Sequence, residues 1–378
     1  MTSGREDARA REPLVVVCAG GGGVGKTTTS AALALSLARA GRSTLIVTID
    51  PARRLAGAMG VPITDEVTRV PLGVAGGRLS ALMPDPRRSM RTFMDQLFEE
   101  QPAAKARLFE NRLYRVLADA AAGVHELVAM NLVARASSQG AFEVIVIDTA
   151  PSRHAIDFVT YPGRLAALFG GRAVGWLAGL AQRAGVAGES EEAPPSGLLA
   201  WGASRVEGLL ARVTGPNLVR DMASLFGDLG LVRERFVALT QRAADLLLGP
   251  RAAYALVAAP TAAARDDVLY LAGRLEKLGR RARALVLNRA DAGPAAYTDA
   301  LRRGVSVPAS IREAVDVLEE ERTSRGSAAD ALSVDLGKRL PRVPIVRLPQ
   351  VDAIAPEAIV AALSALLDAH LATLLPAP

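Results

Sequence analysis

The stretch that decides the fold is Leu14-Val15-Val16-Val17-Cys18-Ala19-Gly20-Gly21-Gly22-Gly23-Val24-Gly25-Lys26-Thr27-Thr28. Its second half satisfies the pattern GxxxxGK[ST] in the surroundings that the pattern needs. An apolar run at 14–18 leads in, and an alanine- and leucine-rich helical stretch at 28–40 leads out. In a strand–loop–helix of this kind, glycines let backbone N–H groups close around phosphates, and the helix N-terminus adds donors and partial positive charge. Lys26 is placed to reach the β- and γ-phosphates, and the Thr27 hydroxyl to ligate Mg²⁺. Gly20, Gly21, Gly22, Gly23, Val24, Gly25, Lys26, Thr27 and Thr28 are therefore the residues expected to hold a nucleoside triphosphate.

Short apolar runs recur outward from this stretch, at 43–49, 142–147, 254–259, 284–287 and 343–346, separated by helical sequence. Strands alternating with helices imply an α/β fold around a mostly parallel sheet flanked by helices, with ligands at the carboxyl ends of the strands. Two long intervals, 84–140 and 161–249, read as helix without a strand. They are expected to form a helical subdomain inserted into a single ATPase domain spanning residues 1–378. Within the second, Leu218, Met222, Leu225, Phe226 and Leu229 fall on one helical face, with Arg220, Asp221, Ser224 and Asp228 opposite. Residues 188–197, acidic and proline-bearing, read as a loop inside that insertion. Residues 356–375 read as a helix with a wide apolar face. Its polar side carries Glu357, Asp368 and His370 rather than basic residues, so packing onto the sheet is expected in place of membrane targeting.

Two other strand ends carry carboxylates. The run at 43–49 ends in Asp50-Pro51-Ala52-Arg53-Arg54, where Asp50 can orient a water for in-line attack on the γ-phosphate. Pro51 also suits a helix start, and a helix cap would fix the carboxylate. The run Val144-Ile145-Val146-Ile147 ends in Asp148, the Walker B arrangement, in which the acid holds Mg²⁺. Residues 149–154 are then placed to sense the γ-phosphate.

Composition narrows the partners. Half of the 378 residues are hydrophobic, enough for a sizeable core. The net charge of +6 is mostly arginine interleaved with acids, and only Lys26, Lys105, Lys277 and Lys338 are lysines. Arg280-Arg281-Arg283 is the densest cluster, at a helix end where cations suit the dipole. Aromatics at 4% supply no stacking platform, so DNA is not expected as a partner. The single cysteine, Cys18, excludes an internal disulfide framework and points to a reducing, cytoplasmic setting. The first twelve residues hold no apolar signal core, and no charge-free apolar run reaches the roughly 18–20 residues that span a bilayer. Peripheral membrane contact stays open.

The segments GGVGKTTT, IDPARRL and IDTAPSRHAIDF together resemble the ArsA/guided-entry ATPases, a SIMIBI-class family of P-loop NTPases. That family includes arsenite-pump ATPases and ATPases that deliver tail-anchored membrane proteins. The similarity continues through Glu110-Asn111-Arg112-Leu113-Tyr114, His125-Glu126-Leu127-Val128-Ala129-Met130 and Leu287-Asn288-Arg289. By this resemblance Asn288, with Arg289 beside it, matches the residue that reads adenine. Thr27, Asp50 and Asp148 match the Mg²⁺ and switch positions. The resemblance further implies ATP and ADP as ligands, hydrolysis of ATP to ADP and phosphate, and an ATP-modulated homodimer.

Two departures qualify it. The family's signature lysine, five residues before the invariant one, is replaced by Gly21. Either a switch arginine, Arg53 or Arg153, supplies the missing cation, or hydrolysis is slow, or a related chain provides the lysine in a heterodimer. One cysteine cannot build the thiolate sites that arsenite activation or a dimer zinc require. A lone His154 reads as a structural or sensor residue. For the helical insertions two readings stand. Met83, Met90, Met94, Met130 and Met222, with Leu165, Leu168, Phe169, Val174, Trp176, Leu177 and Leu180, form either a groove for a hydrophobic membrane-protein client or the subdomain's own core. The leading expectation is an ATPase whose dimer cycle handles a protein partner. The alternatives are a low-activity nucleotide-dependent subunit paired with a related ATPase, and a ParA/MinD-like positioning ATPase.

Overall fold

Parallel strands covered on both faces need apolar side chains at every position rather than at alternate ones. The run at 14–18 meets that demand. In the computed structural model, which describes residues 12–50, 54–71, 77–115, 124–150, 156, 218–291, 308–351 and 353–375, it lies within β1 (Leu14–Gly20), buried throughout. The remaining strands are β2 (Ser43–Thr48), β3 (Thr68–Val70), β4 (Arg78–Leu82), β5 (Val144–Asp148), β6 (Ala252–Ala258), β7 (Ala282–Asp291) and β8 (Ile345–Pro349). They form one sheet in the order β3-β4-β2-β5-β1-β6-β7-β8, parallel except for the β3–β4 pair. The chain lays down the strands on one side of β1 first and those on the other side afterwards. The end of β1 is therefore the topological switch point, where such sheets bind ligands.

The helices of the described residues are α1 (Lys26–Arg39), α2 (Arg54–Met59), α3 (Pro86–Leu97), α4 (Pro102–Glu110), α5 (Val124–Ser138), α6 (Leu218–Leu231), α7 (Arg233–Leu248), α8 (Ala262–Lys277), α9 (Ala309–Arg339) and α10 (Pro356–Leu367), followed by a short 3₁₀ turn and a last helical turn, α11 (Leu371–Leu374). Each of the six strands read from sequence is present. β3 and β4 are additional: one has three residues, and the other, Arg-Leu-Ser-Ala-Leu, has too few β-branched side chains to stand out. Within the 356–375 stretch, α10 packs chiefly on α1 and α2, and α11 meets β6 and β7 of the sheet. Helix α10 buries Val360, Leu363, Ser364 and Leu367, and Arg39 Nη1 donates to Ser364 Oγ at 2.8 Å. By length and composition alone, Pro356–Leu374 is apolar enough to cross a membrane, as no other helix among the described residues is.

The chain divides into two compact units. One, made of Met1–Asp85, Leu132–Asp157 and Asp245–Pro378, contains the whole sheet; the other is made of Pro86–Asn131 and Phe158–Ala244. The second unit has its own apolar core, including Phe93, Met94, Leu97, Leu108, Met130, Leu225 and Phe236, with the Phe93 and Phe236 rings edge-to-face at 6.1 Å. Met94 and Met130 thus serve that core. Asp228, expected on the polar face of α6, is instead buried. It accepts from Arg107 Nη2 of α4 at 2.5 Å and from Ser224 Oγ at 3.4 Å. Residues 164–180 and 188–197 lie outside the described residues.

Candidate nucleotide site

The loop from Gly21 to Gly25 joins β1 to α1 without a side-chain cap, leaving the first N–H groups of α1 open to a ligand. Gly25 is the N-cap, with φ 84° in the left-handed region, and a Cβ there would overlap the Asn288 side chain from β7. Gly is the residue that meets both demands without cost. Gly22 and Gly23 lie exposed at the crest, Val24 is buried, and Thr28 is half-buried on the first turn of α1. Lys26 and Thr27 point inward and are buried, at 4% and 9% exposure.

Sheet register brings the chemistry together. Cys18 of β1 and Thr48 of β2 are both paired with Asp148 of β5, so three strand ends form one rank beneath the loop. Asp148 is fully buried and receives three hydroxyl bonds. Thr27 Oγ1 donates to its Oδ2 at 2.9 Å, Thr48 Oγ1 to the same oxygen at 3.1 Å, and Ser30 Oγ to Oδ1 at 3.3 Å. Burial raises the Asp148 carboxyl above the ordinary carboxylate range, opposed by Lys26 and by the three hydroxyls. Burial likewise lowers the Lys26 ammonium below a free lysine, opposed by Asp148 and then Asp50. The Cys18 thiol, fully buried in the same rank, is pushed up to about 12 by desolvation. It offers no thiolate at neutral pH.

Asp50 follows β2 by two residues and is buried. Its N–H donates to Thr48 Oγ1 at 3.2 Å, and its Oδ2 accepts from Arg54 Nη1, one turn on at the start of α2, at 3.1 Å. Thr149 Oγ1 donates to the Cys18 carbonyl at 2.9 Å, tying the start of the next loop to β1. Arg53, Arg153 and His154, with Pro51 and Ala52, lie outside the described residues. Asn288 is brought to the loop by a distortion of β7. Arg289 has φ 55°, unusual for a side chain of its size, and the β7–β8 register shifts between Leu287 and Asp291. Asn288 is buried and donates from Nδ2 to the Val24 carbonyl at 3.0 Å, while Arg289 is exposed.

Four residues here escaped the sequence reading: Thr48, Ser30, Arg54 and Asp267. Asp267, on α8, covers Gly21 so closely that a Cβ on that glycine would overlap its Oδ2. An acid thus stands against the loop position where the resembling family carries its signature lysine. Ser30 alone had a local signal, since it lies one turn after Lys26 on α1.

The hard oxygen donors of Thr27 and Asp148, in hydrogen-bond contact with each other, fit Mg²⁺. No cluster of three or more His, Cys, Asp or Glu groups suited to a metal occurs among the described residues.

Part of the chain is similar to known proteins. Residues 14–182 match the family model of the anion-transporting ATPases, ArsA. The ATPase get3 of Aspergillus terreus is 35% identical over 130 residues, 34% of this chain and 37% of that protein. The ATPase get3 of Schizosaccharomyces pombe is 31% identical over 156 residues, 40% of this chain and 43% of that protein. The ATPase GET3 of Malassezia globosa is 29% identical over 150 residues, covering 40% and 43%. The chain spans about two fifths of the length of the curated relatives it matches. Over residues 14–182, from β1 past Asp148, this chain is similar to the ArsA ATPases.

Proposed function

We propose that this chain is an ATP-binding, ATP-hydrolysing switch that works as a dimer and couples its nucleotide state to the handling of a protein partner. The observation that carries the reading is the buried Asp148, within 2.9 Å of the Thr27 hydroxyl and bonded to Thr48, in the same rank that feels the Lys26 charge. Backbone N–H groups of the loop and Lys26 bind the β- and γ-phosphates, and Asn288 steadies the loop from β7 at the adenine side. Asp50, fixed by Thr48 and Arg54, orients the attacking water. Thr27 and Asp148 would hold Mg²⁺, which when bound would neutralise phosphate charge. The partner class, a hydrophobic membrane-protein client, comes from the family resemblance. The buried thiol of Cys18 suits a cytoplasmic setting.

One observation favours a second reading, a low-activity subunit paired with a related ATPase chain. Gly21 lies under the Asp267 carboxylate, so this loop position carries no cation of its own. Removing a phosphate clamp of that kind can lower turnover by orders of magnitude. The test is Mg²⁺-dependent ATP turnover per chain against chain concentration, with Lys26→Ala as the blank. A steep rise with concentration is the expected result for a self-sufficient homodimer. Nucleotide binding with negligible turnover at every concentration would replace that reading with the second, and absence of nucleotide binding would overturn both.

A further inference from the structure

The surplus charge of this chain gathers at one end of its sheet. Residues 274–283 and 335–342 carry eight basic side chains against two acidic, a surplus equal to the whole chain's net charge of +6. These segments lead into β7 and β8, so they lie at the strand starts, the edge opposite the phosphate loop. A cavity of about 570 Å³ opens there, lined by Arg280, Arg281, Arg283 and Arg342. A smaller one of about 220 Å³ shares Arg281 and Arg342 and adds Arg339 and Glu276.

Structural duty accounts for three of these guanidiniums. Arg280 Nη2 donates to the Ala252 carbonyl at 2.6 Å, Arg283 Nε to the Leu375 carbonyl at 2.9 Å, and Arg339 Nε to Asp335 at 3.1 Å. Arg281 and Arg342 are exposed and make no hydrogen bond or ion pair with the described residues, yet both line both cavities. They come from two different turns, and bringing like charges together costs free energy unless an anion lies between them. Guanidinium forks match phosphate oxygens in geometry and in charge. Ala372 and Thr373, at the end of the apolar Pro356–Leu374 stretch, form part of the larger cavity's wall.

We infer that this cavity is a second anion site, separate from the phosphate loop, that takes a phosphate-bearing ligand between Arg281 and Arg342. The phosphate belongs either to a free polyphosphorylated compound or to a lipid headgroup, and the apolar stretch in the cavity wall suits the second source. Neither arginine supports the fold through a hydrogen bond, so both can be replaced without unfolding the protein.

The full chain, saturated with Mg²⁺-ADP to fill the phosphate loop, is offered two probes at about 0.15 M salt: inorganic tripolyphosphate, and vesicles of phosphatidylcholine with phosphatidylglycerol. Binding of at least one probe is expected. It should fall by about tenfold or more in the double variant Arg281→Ser, Arg342→Ser, while ADP affinity stays at the wild-type value. Tripolyphosphate binding alone identifies a soluble ligand, and vesicle binding identifies a headgroup. A wild-type chain that binds neither probe, or a double variant that binds as the wild type does, would overturn the inference.

Discussion

The polar network at the sheet's carboxyl edge and the ion pairs that Arg235 and Lys105 make in the helical unit are held in opposite ways. At the sheet edge, Asp148, Thr48, Ser30, Thr27 and Lys26 are all withdrawn from water, and the three hydroxyls bond the Asp148 carboxylate. In the helical unit Arg235 bridges Glu99 and Glu100, and Lys105 bridges Asp95, with acid side chains 50–83% exposed. Burying charge costs several kcal/mol per ion unless every lone pair finds a partner, whereas an exposed pair contributes roughly 0–1 kcal/mol. A sequence bears the first arrangement where chemistry needs a dry, preorganised field and the second where solubility is enough. The largest break in this comparison should come from Asp148→Asn. The amide keeps the shape but offers one acceptor oxygen in place of two, so the Thr27, Thr48 and Ser30 hydroxyls compete for it. Lys26 also loses the acid that most opposes the lowering of its ammonium. Mg²⁺-dependent turnover is expected to fall by about 10²–10³-fold. Wild-type turnover in this variant would reduce the buried network to a packing device.

The same burial makes a prediction about pH. Because desolvation lowers the Lys26 ammonium, its proton leaves at a lower pH than a free lysine's. Nucleotide affinity without Mg²⁺ should therefore weaken on the alkaline side, beginning below pH 10.5 and approaching about tenfold per pH unit once the proton is lost. For stability the sign is reversed. Where Lys26 is already neutral in the folded chain and still protonated in the unfolded one, the unfolded state binds more protons, so the nucleotide-free chain gains stability as pH rises. Opposite slopes for binding and unfolding, both absent in Lys26→Ala, would sharpen the comparison. Parallel slopes would mean that another group governs the alkaline limb.

These contrasts explain what was legible in the sequence. The phosphate loop, the first strand and the acids at 50 and 148 are local patterns, with glycine spacing and an apolar run followed by Asp in adjacent residues. The partners that make them work are not local. Thr48 meets Asp148 across 100 residues and Asn288 meets Val24 across 264, through a strand order that no short pattern encodes. Asp267 over Gly21 is hidden for the same reason. Helical periodicity assigned Asp228 to solvent because it sees one helix at a time, and the guanidinium of Arg107 arrives from another. β4 was missed because Ser80 and Ala81, although buried, are small and not β-branched, so the run does not stand out as a strand.

The smallest effects lie inside the helical unit, where the same contrast recurs on a lesser scale. Asp228 is buried beside Arg107 and Ser224, whereas Arg107 keeps a side-chain exposure of 55% and returns readily to water when its partner is removed. Asp228→Ala should therefore cost about 2 kcal/mol, in the range for a hydrogen bond to a charged group and short of the penalty for stranding a buried ion. Arg235→Ala deletes two ion pairs with exposed acids, and should cost less than about 1 kcal/mol. The midpoints of urea unfolding, followed by a probe in the helical unit, rank the two. If Arg235→Ala proved the more damaging, its aliphatic stem would be contributing packing that exceeds both ion pairs. Burial of the charged atom would then not be what separates strong from weak polar contacts in this unit.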